Sequence, residues 1–332
     1  MNKTIIKFSF SLLIVFLFTG ISLAERSRPV TMGMVTGGPK GTYYQFGLDL
    51  AELVDSKGIM LKVGNSNGSV ENVYAVYKRP NTQLGIVQSD VLAFVAKVQT
   101  DPTLKSIAKK IKMVYPLYNE EVHLLGTNTI ADFDQLEGKR VAIGQEGSGT
   151  YLTAKLLFEV SGIKPAELIT IAADEALPQL KAGKIDGLFY VAGYPVKLFT
   201  EQVTAGDGLA LIPILNKSII EFYPKSEIPA NTYAWQTKPV ESVAVKAVLI
   251  SYDFKMGNCQ NVGRFADILA SNMDWLKENG HPKWKSVDLE YPLKGWDQYE
   301  CVKNYRGKST TPTKQNPPKE LNPVLEAIKE IL

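Results

Sequence analysis

The segment 36–54 (TGGPKGTYYQFGLDLAELV) constrains the possible fold more than any other part of the sequence. The apolar run 30–35 before it predicts a short buried strand, and Gly37, Gly38 and Gly41 predict a loop that turns sharply. Apolar residues then recur at helical spacing, namely Tyr43, Phe46, Leu50 and Leu53. A strand, a glycine loop and a helix in this order expose unpaired backbone N–H groups at the positive end of the helix. A tight turn in any α/β protein is the alternative, because a glycine loop alone is a weak signal.

The same unit occurs a second time in the chain. The strand-like run 141–144 leads into a glycine-rich loop at 147–149, and a predicted helix then continues to Gly162. Gly-Thr-Tyr therefore follows a strand at 41–43 and again at 149–151. The repeat favours a chain that builds one kind of site-forming unit twice.

Two further segments of the chain also resemble each other. LGIVQSD at 84–90 and GLFYVAG at 187–193 are both apolar strands that end in small or polar residues. A chain of 332 residues also exceeds the size that one hydrophobic core usually fills. We therefore expect two lobes, each with one copy of the unit.

Alternating strands and helices predict open, mainly parallel α/β sheets. We expect the chain to leave lobe 1 near residue 119 and to return near 235, so that lobe 1 is 25–119 with 236–332 and lobe 2 is 120–235. Ligands of open α/β sheets lie beyond the carboxyl ends of the strands. Two facing lobes then enclose a cleft for a small ligand, and the two crossing segments form a hinge.

Local predictions for the remaining segments follow from composition and periodicity. They are a strand at 111–118, a turn at 119–121, a strand at 122–126, a connector at 228–235, a long helix at about 262–279, an irregular cap at 281–300, a proline-rich strap at 309–319 and a closing helix at 320–332.

The first 24 residues have the pattern of a cleaved leader. Lys3 and Lys7 give a basic start, 8–18 is apolar apart from two serines, and Ser-Leu-Ala at 22–24 fits a cleavage site. The apolar run is short for a bilayer span of about 20 residues. We expect cleavage after Ala24 and a periplasmic protein, with an uncleaved membrane anchor as the alternative.

The charge of the chain disfavours polyanionic partners. Removal of the leader takes away two lysines and no acids, so the formal charge of +3 becomes +1. A nearly neutral protein is not typical of nucleic-acid binding or of binding to an anionic membrane surface. We expect a monomer.

The only two cysteines are Cys259 and Cys301. An even count in an exported chain predicts one disulfide, worth about 3–4 kcal/mol on the chain-entropy account. Two unpaired structural cysteines are the alternative. Together with His281 they do not have the spacing of zinc ligands, and we expect no metal and no cofactor.

Several segments resemble, in family order, the TAXI-type solute receptors, which are the binding proteins of tripartite ATP-independent periplasmic (TRAP) transporters. Within 30–255 these segments are GGPKGTYYQFG, NGSVEN, LGIVQSD, GKRVAIGQEGSGT, LKAGKIDGLFYVAGYP and IPANTY. The resemblance implies the two-lobed periplasmic-binding-protein (type II) fold and a small anionic or zwitterionic solute, such as glutamate or 2-oxoglutarate. It also implies delivery of that solute to a TRAP-type membrane permease. The first loop reads Gly-Pro-Lys-Gly where the family is richer in glycine, and 281–332 lies outside the match.

The predicted ligand-binding residues are those at helix starts, strand ends and crossings that would face the cleft. They are Gly38, Gly41, Thr42, Tyr43, Ser69, Asn72, Gln88, Ser89, Asp90, Tyr118, Gly147, Ser148, Gly149, Thr150, Gly193, Tyr194 and Tyr233. A solute carboxylate at Ser148 and Thr150 would accept backbone and hydroxyl hydrogen bonds together. Arginine is scarce in these segments, so Lys40 is either the cation that meets an anion or a solvated loop lysine.

Some of these residues also have a purely structural interpretation. Helix capping alone is the alternative for Thr42, Ser69, Asn72 and Asp90, and core packing alone is the alternative for Tyr118 and Tyr233. Asp90 is placed to cap a helix at 91–98, and a pairing of its carboxylate with a solute ammonium stays open.

An enzyme is disfavoured, and no catalytic residues are expected. A nucleophile elbow needs a glycine two residues before the serine, but Glu146 precedes Ser148 at that distance. His123 and His281 are the only histidines, and no spacing makes a carboxylate pair of Asp90 with 120 or 121. The alternative to transport is a periplasmic ligand-sensing module for signalling or for another transporter class. A neighbouring permease gene would favour transport, and a neighbouring sensor kinase gene would favour signalling.

Overall fold

The computed structural model describes residues 29–97 and 102–306. The predicted leader at 1–24, the strap at 309–319 and the closing helix at 320–332 lie outside these residues. No helix in the described part of the chain combines the length and the apolar composition that crossing a membrane requires.

The described residues form an alternating α/β chain. The strands are β1 (Val30–Val35), β2 (Ile59–Gly64), β3 (Leu84–Gln88), β4 (Ile111–Thr127), β5 (Arg140–Ala142), β6 (Glu167–Ile169), β7 (Gly187–Ala192), β8 (Leu209–Leu211), β9 (Lys225–Ile228) and β10 (Val240–Tyr252). The α-helices are α1 (Thr42–Asp55), α2 (Ser69–Lys78), α3 (Ser89–Lys97), α4 (Pro102–Ala108), α5 (Gly149–Ser161), α6 (Ala173–Lys181), α7 (Lys197–Gln202), α8 (Lys217–Phe222), α9 (Met256–Ser271), α10 (Met273–Asn279) and α11 (Glu300–Arg306). Short 3₁₀ helices lie at Phe133–Leu136, Ala205–Asp207 and Pro282–Ser286.

The strands pair in the order β2-β1-β3-β10-β4-β7-β5-β6, with β8 on β4 and β9 on β10. β1 is parallel to β2 and β3, and β5 is parallel to β6 and β7. Between these two parallel groups lie the long antiparallel strands β4 and β10. The two groups are the centres of two lobes, and the long strands connect them.

The predicted turn at 119–121 is wrong, because β4 runs without interruption from Ile111 to Thr127. Glu120 pairs with Val245 of β10 and Glu121 pairs with Ala244, so the backbone stays extended. The two acidic side chains are buried rather than solvated. Three polar residues in a row resemble a turn in the sequence, but here they lie where one strand passes from lobe to lobe.

The strand pairings indicate a second crossing later in the chain than the expected return near 235. β9 pairs with the first residues of β10, with Ile228 opposite Val240, so both belong to the second lobe. The register of β10 against β4 then shifts between Lys246 and Val248. We propose that the chain crosses near Tyr118 in β4 and near Lys246 in β10. Lobe 1 is then 29–118 with 247–306, and lobe 2 is 119–246.

Each lobe buries apolar side chains on both faces of its part of the sheet. Ile86 and Val87 are neighbours in β3 but belong to different core clusters, as do Leu188 and Phe189 in β7. Successive side chains of a strand point to opposite faces, so each pair packs against helices on both sides. A fully buried side chain of this kind contributes about 1.5–3 kcal/mol to the free energy of unfolding.

The C-terminal segment covers one face of lobe 1. The predicted single helix at 262–279 is wrong, because α9 and α10 are separated at Asn272. The Asn272 side-chain amide donates a hydrogen bond to the Ile268 carbonyl (2.7 Å) and competes there with the backbone. The structure joins Cys259 in α9 to Cys301 in α11 by a disulfide.

Candidate functional site

A cavity of about 260 Å³ lies between the two lobes. The lining consists of 37–43, 67–69 and Gln88 from lobe 1, Gly144, Gln145, 148–150, 172–174, 189–192 and Leu198 from lobe 2, and Glu120 from the crossing strand. The predicted 36–43 and 147–151 segments therefore face a common gap.

The first residues of four helices line this cavity. Thr42 begins α1 and Ser69 begins α2 in lobe 1, while Gly149 begins α5 and Ala173 begins α6 in lobe 2. The first N–H groups of a helix have no partner within the helix, and the helix dipole places positive partial charge there. Four such ends around one cavity suit a bound anion.

Two glycines allow the lobes to approach each other closely. A Cβ at Gly149 would lie 1.2 Å from Oε1 of Gln88 and 2.8 Å from Oγ of Ser69, both in lobe 1. A Cβ at Gly41 would lie 2.9 Å from the hydroxyl of Tyr190 in lobe 2. The glycine of each Gly-Thr-Tyr unit is thus required for contact with the opposite lobe.

Direct hydrogen bonds close the two lobes on the cavity. They run from Thr42 Oγ1 to the Gly193 carbonyl, from Glu71 N to the Gly147 carbonyl (3.3 Å), from Gln88 Nε2 to Thr153 Oγ1 (3.4 Å) and from Thr153 Oγ1 to Asp90 Oδ2 (2.6 Å). The structure therefore shows the closed arrangement of the lobes.

A second internal symmetry links each helix start to a neighbouring strand. In lobe 1 the Gln88 N–H donates to Oγ of Ser69 (3.1 Å), and in lobe 2 the Val191 N–H donates to Oγ1 of Thr150 (3.1 Å). Gln88 and Val191 occupy the same position in the two repeated strand segments. A helix-start hydroxyl therefore accepts a strand N–H in both lobes.

Few side chains of the lining are ionisable. They are Lys40, Tyr43, Glu120, Asp174 and Tyr190. The Tyr43 hydroxyl donates to Oε2 of Glu120 (2.6 Å) and lies 3.5 Å from Oγ of Ser69. Burial raises the pKa of the Glu120 carboxyl well above its usual value, and the same cause raises the pKa of Tyr43.

The structure divides the predicted site residues into two groups. Those that line the cavity are Gly38, Gly41, Thr42, Tyr43, Ser69, Gln88, Ser148, Gly149 and Thr150. Those that lie outside the lining are Asn72, Ser89, Asp90, Tyr118, Gly147, Gly193, Tyr194 and Tyr233.

Three predicted residues of lobe 1 lie behind the wall and support it. The Asn72 amide donates to two main-chain carbonyls, one just after β1 and one in the middle of β3. Oγ of Ser89 accepts from the Lys246 N–H (3.0 Å) at the second crossing. Because α3 begins at Ser89, Asp90 lies in the first turn and not at the cap, and its buried carboxylate faces Thr153. Burial raises the pKa of Asp90 to about 6.

The remaining predicted residues lie at the rim or the hinge. The carbonyls of Gly147 and Gly193 accept hydrogen bonds from lobe 1. A Cβ at Gly193 would meet the Tyr118 ring at 2.6 Å, so Tyr118 packs directly under this loop. The Tyr194 ring lies 3.5 Å from a buried lysine ammonium, and the Tyr233 hydroxyl lies 2.9 Å from a histidine ring nitrogen.

Sequence reasoning missed several cavity residues, above all Glu120, Tyr190 and the start of α6 at Ala173. Tyr190 lies in the repeated segment GLFYVAG, so the repeat contained a signal for it. Glu120 was predicted to lie in a turn, and only the continuous strand β4 brings it to the cavity.

Neither histidine belongs to the cavity lining. His123 is buried, its Nδ1 lies 2.9 Å from the Glu121 carbonyl, and burial lowers its pKa to about 3. His281 contacts the Pro195 carbonyl at 3.1 Å. Within the described ranges no three His, Cys, Asp or Glu side chains come together as metal ligands.

Comparison with known proteins gives a family and a fold. The profile of the NMT1-like family matches residues 34–255. A structure described as a periplasmic transporter gives a TM-score of 0.54 at 16% identity, with 86% of this chain and 95% of that chain covered. The periplasmic binding protein BugD gives 0.53 at 10% identity, with 85% and 96% covered. MatC from Rhodopseudomonas palustris, solved with bound malate, gives 0.51 at 14% identity, with 83% and 98% covered. At these identities the likeness shows the fold, which is the predicted two-lobed periplasmic-binding-protein fold.

Proposed function

Because this chain belongs to the NMT1-like family, we propose that it is an extracytoplasmic receptor that closes on a small carboxylate between its lobes. The observation that carries the proposal is the convergence of four helix N-termini on one cavity. Each such end stabilises a nearby negative charge by about 0.3–1 kcal/mol, and a water-poor cleft increases that value.

Side chains of lobe 2 add directional hydrogen bonds. Oγ of Ser148 accepts from the Tyr151 N–H (3.0 Å), and Oγ1 of Thr150 accepts from Val191 N. Each hydroxyl keeps its own proton as a donor for a solute oxygen. Lys40 is the one Lys or Arg in the described lining, and it adds a positive charge at the mouth of lobe 1.

The binding mechanism is a shift of population between open and closed forms. A solute that touches both lobes stabilises the closed form by its additional contacts in that form. The hydrogen bonds that already join the lobes reduce the free energy that the solute must supply. Such a receptor needs no chemical step.

The finer identity rests on the motifs from GGPKGTYYQFG to IPANTY, which resemble those of TAXI-type receptors. We propose a glutamate- or 2-oxoglutarate-like solute and delivery to a TRAP-type permease. The malate in the MatC structure is also a small carboxylate. The leader-like residues 1–24 support a periplasmic location, with cleavage after Ala24.

The test is a thermal melt of the purified protein with a panel of small carboxylates and with their uncharged methyl esters. A solute at 100 times its Kd stabilises the folded protein by about 2.7 kcal/mol. We expect stabilisation by a free carboxylate, none by its ester, and recovery of unchanged solute by mass spectrometry. Equal effects of acid and ester, or conversion of the solute, would contradict the proposal.

Transport is tested by uptake of the labelled solute into cells that lack this gene. A receptor for a permease predicts loss of uptake and its return when the gene is restored. Normal uptake together with a lost transcriptional response to the solute would favour the sensing alternative.

A further inference from the structure

The crossing strand β4 places two adjacent carboxyl groups in different surroundings. Glu120 lines the cavity, while Glu121 pairs with the buried Lys283 ammonium at 2.7 and 2.8 Å. Side chains of adjacent strand residues point to opposite sides, so only one of the two faces the solute. Glu121 is charge-paired within the protein and Glu120 is not.

The Glu120 carboxyl has little else to bind. It is 2% exposed, and among the described residues Tyr43 is the one side chain that donates a hydrogen bond to it. A carboxylate has acceptor capacity for about four hydrogen bonds, and a buried one needs donors. The cavity is the remaining source of a donor.

Apart from Glu120, the cavity lining has little negative charge. The helix starts of both lobes present N–H donors, which suit the carboxylate of a solute. Asp174 is the other acidic residue of the lining, and it is exposed to solvent. A solute that satisfies the whole cavity therefore carries a carboxylate for the helix starts and a donor group for Glu120.

We propose that Glu120 determines the specificity of the cleft by accepting the protonated amine of the solute. The proposal rests on the proposed carboxylate-receptor function and narrows its solute class to 2-amino acids over the matching 2-oxo acids. A carbonyl oxygen at this position can only accept, so a 2-oxo acid would meet the protonated carboxyl and would gain no charge-assisted hydrogen bond.

The proposal can also be tested by measuring whether Glu120 loses a proton when the solute binds. Burial raises its pKa, the nearby Asp90 and Glu121 raise it further, and the Tyr43 hydrogen bond and Lys283 lower it. The net shift is upward, so without a neighbouring cation this carboxyl binds a proton more readily than a solvated glutamate does. A solute ammonium favours the carboxylate, and the proton then leaves to solvent.

The experiment compares matched pairs of 2-amino and 2-oxo acids by titration calorimetry. The pairs are L-glutamate with 2-oxoglutarate, L-aspartate with oxaloacetate, L-alanine with pyruvate, L-leucine with 4-methyl-2-oxopentanoate and L-phenylalanine with phenylpyruvate. We expect at least one amino acid to bind about tenfold or more tightly than its oxo partner. Glu120→Gln, which keeps the shape and an acceptor for Tyr43, should abolish this preference and leave binding of the oxo acid within about threefold.

Glu175→Gln is the matched control, because Glu175 lies exposed in the first turn of α6 and outside the cavity lining. This variant should keep the wild-type preference. Wild-type titrations at several pH values from 5 to 8, in buffers of different ionisation enthalpy, give a readout that does not depend on any variant. The amino acid should release up to about one proton per molecule bound, and the oxo acid should release none.

The possible results separate the two proposals. Binding of carboxylates without an amino-acid preference, a preference that persists in Glu120→Gln, or amino-acid binding without proton release would overturn the role of Glu120 and leave the receptor function intact. Absence of binding by every member of the set, together with no stabilisation in the thermal melts, would overturn the receptor function itself.

Discussion

The two helices that begin with Gly-Thr-Tyr are built differently although their sequences match. In α5 the start is completed within lobe 2, because Ser148 caps the helix and Thr150 accepts a hydrogen bond from Val191. In α1 the start has no side-chain cap. Thr42 instead donates a hydrogen bond across the cleft to Gly193 in the opposite lobe.

The starts of α1 and α5 therefore have different roles. The α5 start depends on contacts that exist whether the cleft is open or closed, so its shape is fixed before the solute arrives. The Thr42 contact exists only when the lobes meet. Loss of the Ser148 cap should therefore alter folding stability, and loss of the Thr42 hydroxyl should alter closure.

The largest effect is expected from Gly149→Ala, which tests the contact face of the lobe 2 unit. An added Cβ would overlap Gln88 and crowd Ser69 in the closed form. We expect solute affinity to fall roughly 10- to 100-fold, while alanine in the first turn of a helix leaves the melting temperature of the solute-free protein unchanged or slightly higher. Titration calorimetry and a thermal melt measure the two quantities separately.

Its control restores the space on the other side of the cleft. Gln88→Ala combined with Gly149→Ala removes the overlapping side chain and should recover part of the lost affinity. Because Gln88 lines the cavity, Gln88→Ala alone is the reference. If Gly149→Ala lowers affinity as much in the Gln88→Ala background as in the wild type, steric hindrance of closure is the wrong explanation.

A pH effect should distinguish the inter-lobe contacts behind the cavity from those at its rim. Asp90 of lobe 1 meets Thr153 on the buried face of α5, and burial raises its pKa to about 6 from an ordinary value near 3.8. The closed form therefore binds a proton more readily than an open, solvated one. Closure is favoured at low pH and loses at most about 3 kcal/mol as the pH rises through 4–6, with no further loss from this group above that range.

Solute affinity measured at pH 5 and at pH 7.5 tests this, with Asp90→Asn as the variant. The ratio of the affinity at pH 5 to the affinity at pH 7.5 should be larger for the wild type than for the variant, because only the wild type has the contribution of Asp90. Glu120 also has a raised pKa, so the difference between the two proteins is the informative quantity. An identical pH dependence in both would show that Asp90 does not take part in closure.

Ser148→Ala tests whether the start of α5 is stabilised by contacts within lobe 2 alone. Loss of the hydrogen bond from Tyr151 N to Oγ removes a helix cap, and we expect the free energy of unfolding to fall by about 1 kcal/mol. Ser148→Thr keeps an oxygen at this position and is the control for the cap. Chemical denaturation of the solute-free protein gives the measurement, and an unchanged midpoint for the alanine variant would mean that the cap contributes nothing.

A good part of this architecture could be predicted from the sequence, because a sequence motif that occurs twice forms the same local structure twice. The strand, loop and helix at 30–55 and the helix that follows the glycine-rich loop at 147–149 were predicted from glycine positions and apolar spacing, and both occur in the structure. The lining of the cavity by Thr42, Ser148 and Thr150 follows from the same reasoning. The role of each of these residues in binding stays a prediction.

The parts that sequence reasoning did not predict depend on distant partners. β4 stays extended through Glu120 and Glu121 because β10, more than a hundred residues later, pairs with it. The crossing that we propose near Lys246 is later than the expected return near 235 because β9 pairs with the first residues of β10. Neither pairing can be recognised from the local composition or periodicity of the sequence. The polar triplet at 119–121 therefore resembles a turn when it is read without its partner strand.

The smallest effect is expected for Thr42→Val, which removes the hydroxyl but keeps the branched shape of this 2% exposed side chain. The open form should be unaffected, since Thr42 makes no capping hydrogen bond within lobe 1. The closed form loses one hydrogen bond to Gly193, so affinity should fall about three- to fivefold, mainly through faster release. Thr42→Ser keeps the donor and should bind like the wild type. Stopped-flow binding and denaturant melts check both halves of the prediction. If Thr42→Val lowers folding stability as much as Ser148→Ala does, both helix starts are stabilised by contacts within their own lobes. The proposed difference between α1 and α5 would then be wrong.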